Sequence, residues 1–159
     1  MDVRIMEREA FIVVGKSRQV NCLNEEHPQR ISEFWAESHQ DGTLEELVRI
    51  GTTGELFGVC VDMQPDQGVL TYMIACVADR ALDESSFTSF TIPTATWAVF
   101  TSTGPLPGAI QQAFGYAFQE WLPASEYRHA PAPDLEVYPS GDTMAADYRC
   151  EVWIPIVKK

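Results

Sequence analysis

The chain has 159 residues, of which 45% are hydrophobic and 21% charged, proportions that are typical of one globular domain and unlike those of a disordered chain. Its 23 acidic and 11 basic residues give a net charge of −12, which disfavours binding to nucleic acids and anionic membranes, because both attract Lys and Arg. A neutral or cationic partner fits this charge better.

In the first half of the chain, the sequence predicts one strand, two helices and a pair of strands. Pro28 stands where a helix can begin, and Thr43-Leu44-Glu45-Glu46 is a capping-box pattern that starts a second helix. The turn residues 65–68 predict that the two strands around them form a hairpin. The predicted elements are strand 9–20, helix 28–39, helix 44–50, strand 56–63 and strand 69–77.

The second half repeats this order of elements. From Ser85 to Gln119 the chain has no Asp, Glu, Lys or Arg, so much of this stretch is expected to be interior or to line a concave surface. Apolar residues at helical spacing from Ala109 to Trp121 predict a helix that Pro123 ends. The predicted elements are strands 87–92 and 97–103, helix 109–121, loop 124–134, and strands 135–138 and 148–157.

The order strand–helix–strand–strand therefore occurs twice, which favours the α+β class with an antiparallel sheet. We expect a single domain over residues 1–159, with a first repeat over about residues 1–82 and a second over about residues 86–159. The repetition is one of element order, since no residue-level repeat is visible.

Cysteine usage and the N-terminus predict a cytoplasmic protein without a metal or a cofactor. Cys22, Cys60, Cys76 and Cys150 form no CxxC pair and lack the His spacing of zinc sites, so they are expected to be structural thiols rather than disulfides. Charged residues follow soon after Met1, where a signal peptide would be apolar. No apolar stretch approaches the roughly 20 residues of a membrane helix.

The last strand carries the candidate binding carboxylate. Glu151 shares one face of that strand with Trp153, so it is either an exposed carboxylate or one that is partly desolvated in an aromatic groove. A desolvated carboxylate gains from an incoming cation, and neighbouring rings add cation–π attraction of roughly 0.5–2 kcal/mol each. The other candidate ligand contacts are Trp97, Tyr72, Tyr138 and Phe118, of which Phe118 also lies on the apolar stripe of its helix.

Signals for catalysis are weak. His27, His39 and His129 are scattered in polar or loop contexts, and the sequence has no GxSxG nucleophile motif. The glycine-rich segments 51–54 and 104–108 lack both the Lys of a P-loop and the GxGxxG spacing, so they are expected to be loops. No catalytic residue is predicted from spacing.

Several segments together resemble the bacterial effector-binding domain, also called the gyrase-inhibitor-like small-molecule-binding domain, which occurs in multidrug regulators of the AraC and MerR types and as free-standing proteins. The resemblance covers essentially the whole chain and is strongest from Thr94 onward. The segments that carry it are Trp97–Thr101, Gly104-Pro105, Glu120–Pro123, Asp134–Pro139 and Cys150–Ile156.

The resemblance implies two strand–helix–strand–strand units related by a pseudo-two-fold axis, with helices on one face of the sheet and a ligand groove between the units. It implies a lipophilic, often cationic, small-molecule ligand held by aromatic residues around a carboxylate. That carboxylate corresponds to Glu151, and Trp97, Tyr72 and Trp153 are carried over as its aromatic neighbours. The chain has no room for a helix-turn-helix, so direct DNA binding is not expected.

Three functions follow from this reasoning. The first is a stand-alone binding module for amphipathic cations. The second is a hydrolase of strained, electrophilic toxins, in which Glu151 acts as general base on a water molecule. The third is an inhibitor that binds a DNA topoisomerase through the acidic stretch 25–66, for which an ordinary solvated helical face is the alternative.

Overall fold

The computed structural model describes residues 2–21, 27–64, 68–81 and 87–159, and for residues 21, 27, 28 and 62–64 it describes the backbone alone. The predicted boundary between repeats, most of the predicted hairpin turn, and Cys22 lie outside this part of the chain. Within it the strands are β1 (Val3–Arg8), β2 (Phe11–Asn21), β3 (Leu56–Gln64), β4 (Val69–Ala78), β5 (Thr88–Ile92), β6 (Ala95–Thr103), β7 (Tyr127–His129), β8 (Asp134–Tyr138) and β9 (Arg149–Lys158). The helices are α1 (His27–Gln40), α2 (Thr43–Ile50), α3 (Gly108–Tyr116), a π-helical turn (Ala117–Trp121) and α4 (Leu122–Ala124).

The strands form one antiparallel sheet of the order β1-β6-β9-β8-β3-β4-β2-β5, and β7 pairs with β9 at its side. The central six strands have a symmetric order. Read from the outside toward the centre, β6, β9 and β8 of the second half correspond to β2, β4 and β3 of the first half. A pseudo-two-fold axis therefore passes between β3 and β8. This confirms the predicted α+β class and the two repeats of strand–helix–strand–strand.

Two very short connections curl the sheet. β1 and β2 stand six positions apart in the strand order, about 29 Å in a flat sheet, yet the three peptide units from Arg8 to Phe11 span at most about 11 Å. The connection from Ile92 to Ala95 imposes the same limit on β5 and β6. The backbone N–H of Ala10 donates to Oγ1 of Thr94 at 3.0 Å and holds the two connections together.

The curled sheet has a core on each face. The inner face packs largely on itself, with buried residues that include Val13, Phe57, Val59, Met73, Trp97, Val99, Leu135 and Trp153. The outer face carries two separate helical layers. Helices α1 and α2 cover β2 and β4 through residues such as Phe34 and Leu47, whereas α3 covers β6 and β9 through Ile110 and Ala113. β3 and β8 lie between the two layers.

Most predicted elements agree with the structure to within one or two residues, and there are three differences. β1 was not predicted, because its polar and apolar residues give a half-exposed edge strand rather than a clear hydrophobic run. The predicted loop 124–134 is wrong for residues 127–129, which form β7, a strand too short for its periodicity to be recognised. The predicted helix 109–121 changes from α to π geometry after Tyr116, and Pro123 does not end it, because α4 continues the helical segment to Ala124.

Among the residues that the structure describes, no helix is both long and apolar enough to cross a membrane. In the same part of the chain, no group of three or more His, Cys, Asp or Glu side chains is arranged to hold a metal ion.

Candidate ligand-binding groove

A large groove occupies the outer face of the sheet between the two helical layers. Its volume is about 1790 Å³, larger than the roughly 300–1,000 Å³ of ordinary small-molecule pockets. One wall comes from α1 and α2 and the other from α3 and the turn that follows it. Lining side chains include Ile31, Trp35 and Leu44 on the first wall, Ile110, Phe114 and Phe118 on the second, and Cys60, Tyr72, Asp134, Glu136 and Tyr138 on the floor.

Glu136 lies at the centre of the floor, next to the pseudo-two-fold axis. Its strand neighbours Leu135 and Val137 point into the inner core, so the two-residue period of the strand directs Glu136 to the groove, where it is only 8% exposed. Its partner across the ladder on β3 is Gly58. A Cβ atom at Gly58 would overlap both Oε1 of Glu136 and the hydroxyl of Tyr72, so the glycine provides the room for this carboxyl group.

Neutral donors surround this carboxyl group. The Tyr72 hydroxyl donates a hydrogen bond to Oε1 of Glu136, and the Tyr138 hydroxyl also lowers the pKa of this carboxyl group. The indole N–H of Trp35 donates to the Tyr72 oxygen at 2.9 Å and so orients that hydroxyl toward Glu136. The Trp35 ring also meets the Tyr138 ring edge to face, with centroids 5.1 Å apart. The groove therefore has an aromatic wall beside its carboxylate.

Burial dominates the electrostatics of the floor. Removal from water raises the pKa of Glu136, the hydrogen bonds from Tyr72 and Tyr138 lower it, and the nearby charge of Asp134 raises it further. Among the ion pairs of the described residues, none includes Glu136. The site thus contains a desolvated carboxyl group that has hydroxyl partners and that no cationic side chain of the described residues balances.

A His–Asp pair lies beside the second wall, with His129 on β7 and Asp134 on β8. Nε2 of His129 lies 2.6 Å from Oδ1 of Asp134, and this hydrogen bond is the main cause of the raised pKa of His129. The imidazole also stacks on the Phe118 ring at a centroid distance of 5.9 Å, and Phe118 in turn stacks on Phe114 at 6.4 Å. Asp134 precedes Glu136 by two residues, so both carboxyl groups face the groove.

Of the predicted ligand contacts, the structure places Tyr72, Tyr138 and Phe118 in this groove and the other three elsewhere. Trp97 and Trp153 belong to the buried core of the inner face. Glu151 lies on that same face, since its ladder partner is Val137, and its side chain is 25% exposed. The six residues therefore do not form one site, because Glu151 and Glu136 point to opposite faces of adjacent strands.

Glu151 has the aromatic neighbours that were expected around the ligand-binding carboxylate, but arginine side chains of the chain itself take the place of a cationic ligand. Arg4 on β1 donates to Oε2 of Glu151 at 2.9 Å, and the indole N–H of Trp153 donates to Oε1 at 3.1 Å. The guanidinium carbon of Arg8 lies 5.4 Å from the Trp153 ring centroid and 3.9 Å from that of Phe11. No ligand is needed to balance this carboxylate.

The sequence reasoning did not single out Glu136, Gly58 or Trp35. A usable signal was present in Asp-Leu-Glu-Val-Tyr, residues 134–138, where the two-residue period places Asp134, Glu136 and Tyr138 on one face of a strand. The signals for Gly58 and Trp35 were weaker, because their roles depend on which strand and helix lie opposite Glu136.

Comparisons with known proteins agree with this architecture. SAV2435, solved bound to tetraphenylphosphonium, is 24% identical, with 99% of this chain and 94% of that chain covered and a TM-score of 0.87. A putative bacterial transcription regulation protein from Staphylococcus aureus MU50 is 22% identical over 98% of each chain, with a TM-score of 0.78. The EcmrR C-terminal domain is 17% identical over 99% of this chain and 98% of that one, with a TM-score of 0.67. At these identities the structures show a shared fold.

None of the curated proteins compared with the sequence matches it significantly. The family model described as the GyrI-like small molecule binding domain matches residues 1–157 and confirms the resemblance drawn from the sequence. The chain therefore belongs to the GyrI-like small molecule binding domain family.

Proposed function

We propose that this domain binds lipophilic cations in the groove, with Glu136 as the counter-charge, Trp35 and Tyr138 as the aromatic wall, and the fully buried Tyr72 as the hydrogen-bond donor that positions Glu136. One observation carries the proposal: Glu136 is a buried carboxyl group in a large groove, with hydroxyl partners and no ion pair among the described residues. The binding role that was expected of Glu151 is transferred to Glu136.

The energetics favour a cation with a delocalised charge. Burying a carboxylate away from water costs several kcal/mol unless it is paired, and two hydroxyl partners offset only part of that cost. A cation completes the pairing, and each ring face adds roughly 0.5–2 kcal/mol. A small, strongly hydrated cation would lose more hydration than it gains, whereas a lipophilic cation also buries apolar surface against the groove walls. That SAV2435 is solved with tetraphenylphosphonium supports this ligand class.

Calorimetric titration with tetraphenylphosphonium tests the proposal. The wild-type protein should bind this cation and should not bind tetraphenylborate, an anion of the same shape. Glu136→Gln should weaken binding by about 100-fold, equivalent to about 2.7 kcal/mol, because the amide keeps the shape of the side chain and removes its charge.

Glu151→Gln is the matched control, since it removes one carboxylate from the other face and changes the net charge equally. Its affinity for tetraphenylphosphonium should stay within about twofold of the wild type, because a carboxylate that lies on the opposite face of the sheet and is paired with Arg4 acts on the groove only through screened long-range attraction. Unchanged binding by Glu136→Gln, or a large loss confined to Glu151→Gln, would refute the assignment of Glu136.

No observation on the described residues favours the hydrolase or the topoisomerase inhibitor over the binding module. Both therefore stay predictions from the resemblance.

A further inference from the structure

We infer that the groove contains a second cation subsite at Asp134, and that the domain selects dications whose two positive centres can pair with Asp134 and Glu136 at the same time. The inference deepens the proposed function and depends on it, because the first positive centre would pair with Glu136. The observation behind it is that Asp134, Glu136 and the ring stack of His129 and Phe118 meet in one groove.

Strand β8 sets the separation of the two residues that carry the carboxyl groups. Asp134 and Glu136 are two residues apart on β8 and face the same side of the sheet, which places their Cα atoms about 7 Å apart. Both are largely shielded from water, with the Asp134 side chain 12% and the Glu136 residue 8% exposed. Two carboxylates at this separation repel each other, so a ligand that neutralises both removes a repulsion that a monocation leaves in place.

The imidazole of His129 already occupies the subsite in the way that a ligand would. It is a planar nitrogen heterocycle, it lies 2.6 Å from the Asp134 carboxylate, and it stacks on Phe118. The subsite therefore combines an anion with a ring face, the two elements that recognise a flat or quaternary cation.

The His129 side chain is accessible to a competing ligand cation. Its strand, β7, has three residues and pairs only with β9 within the described sheet, and the His129 side chain is 36% exposed. A ligand cation that replaces the imidazole reproduces both the pairing with Asp134 and the stacking on Phe118. In the unliganded protein, the His129 imidazole thus occupies the subsite that a dication would fill.

Ethidium and propidium form a matched pair of probes, because they share the phenanthridinium ring and propidium adds one quaternary ammonium on a short arm. At neutral pH and physiological salt, the wild-type protein should bind propidium about tenfold more tightly than ethidium. Asp134→Asn should reduce this ratio to about two or less while the ethidium affinity stays within about threefold. Glu151→Gln, which removes the same amount of charge outside the groove, should keep the wild-type ratio.

The outcomes separate the two proposals. A wild-type ratio near one, or a ratio that Asp134→Asn leaves unchanged, would overturn the second subsite even if both dyes bind. Failure of both dyes to bind, or equal binding of ethidium by wild type and Glu136→Gln, would instead overturn the proposed function.

His129→Ala tests directly whether the imidazole occupies the subsite that a dication would fill. Removing the imidazole leaves Asp134 free, so the affinity for propidium should rise several-fold while that for ethidium changes little. Thermal melting of each variant checks that it is folded. A folded His129→Ala protein that binds propidium no better than the wild type would overturn this role of the imidazole.

Discussion

The two faces of the central strands each carry a carboxylate, and the two carboxylates differ in burial and in ion pairing. On the inner face, Glu151 pairs with Arg4, receives the N–H of Trp153 and is partly exposed. On the outer face, Glu136 is buried among tyrosine hydroxyls and has no ion pair among the described residues. Both have aromatic neighbours, so aromatic surroundings alone do not identify a cation site. What separates them is whether the chain supplies the cation itself.

The largest effect is expected from filling the space opposite Glu136. Gly58→Ala places a methyl group where the Glu136 carboxyl and the Tyr72 hydroxyl now lie, so it must displace one of them. We expect the affinity for tetraphenylphosphonium to fall at least about tenfold and the free energy of unfolding to fall by roughly 1–3 kcal/mol. Titration calorimetry and chemical denaturation measure the two effects.

Gly115→Ala is the matched control for this substitution. Gly115 lies in α3, and a Cβ atom there meets nothing within 4 Å. The alanine should leave binding unchanged and stabilise the helix by roughly 0.5–1 kcal/mol. If Gly58→Ala behaved in the same way, the close approach of Gly58 to the carboxyl group would not matter for binding.

The second contrast between the two carboxylates concerns stability. We expect the ionised Glu136 carboxylate to lower the free energy of unfolding of the unliganded protein. The pKa of Glu136 is raised in the folded chain by burial, so its folding penalty is absent below the unfolded pKa of about 4.3 and grows as the pH rises through the folded pKa. Glu136→Gln should therefore melt at a higher temperature than the wild type at neutral pH, and the gap should close near pH 4.

Thermal melts of both proteins across this pH range measure the effect. A Glu136→Gln protein that melts below the wild type at neutral pH would show that the ionised carboxylate stabilises the unliganded fold. The groove would then be a structural network rather than a site kept ready for a cation.

The smallest effect is expected at the inner-face ion pair. The Arg4 side chain is 54% exposed, and pairs at such exposure contribute at most about 1 kcal/mol. A double-mutant cycle of Arg4→Met and Glu151→Gln should therefore give a coupling energy below about 1 kcal/mol, with tetraphenylphosphonium affinity unchanged in all four proteins. A coupling energy above about 2 kcal/mol would contradict the description of Arg4 and Glu151 as a weak, exposed ion pair.

Much of the fold could be predicted from the sequence because its elements are local. The pattern Thr43-Leu44-Glu45-Glu46 correctly located the start of α2, but the N-cap is Gly42 and no side chain caps the helix, so the predicted capping box is wrong. The turn residues after β3 precede its hairpin partner β4. The elements that escaped prediction, β1 and β7, are stabilised by their partners: β1 is an edge strand on β6, and β7 is a three-residue addition to β9. Their own sequences carry too little periodicity to identify them.

The site was less predictable because it depends on which faces meet. The strand patterns correctly separated the two faces of β9, but they could not show that Arg4, 147 residues away, pairs with Glu151. They also could not show that Gly58 lies opposite Glu136, since that pairing joins the two halves of the chain across the pseudo-two-fold axis. Tyr72 and Tyr138 were predicted as aromatic contacts and do lie in the groove, beside a different carboxyl group.

A crystal structure of the complex with tetraphenylphosphonium tests the central claim most directly. The account predicts a phosphonium centre in the outer-face groove, phenyl rings against Trp35 and Tyr138, and Glu136 as the nearest carboxylate. A cation bound beside Glu151 on the inner face, or one in the groove whose nearest carboxylate is not Glu136, would contradict it.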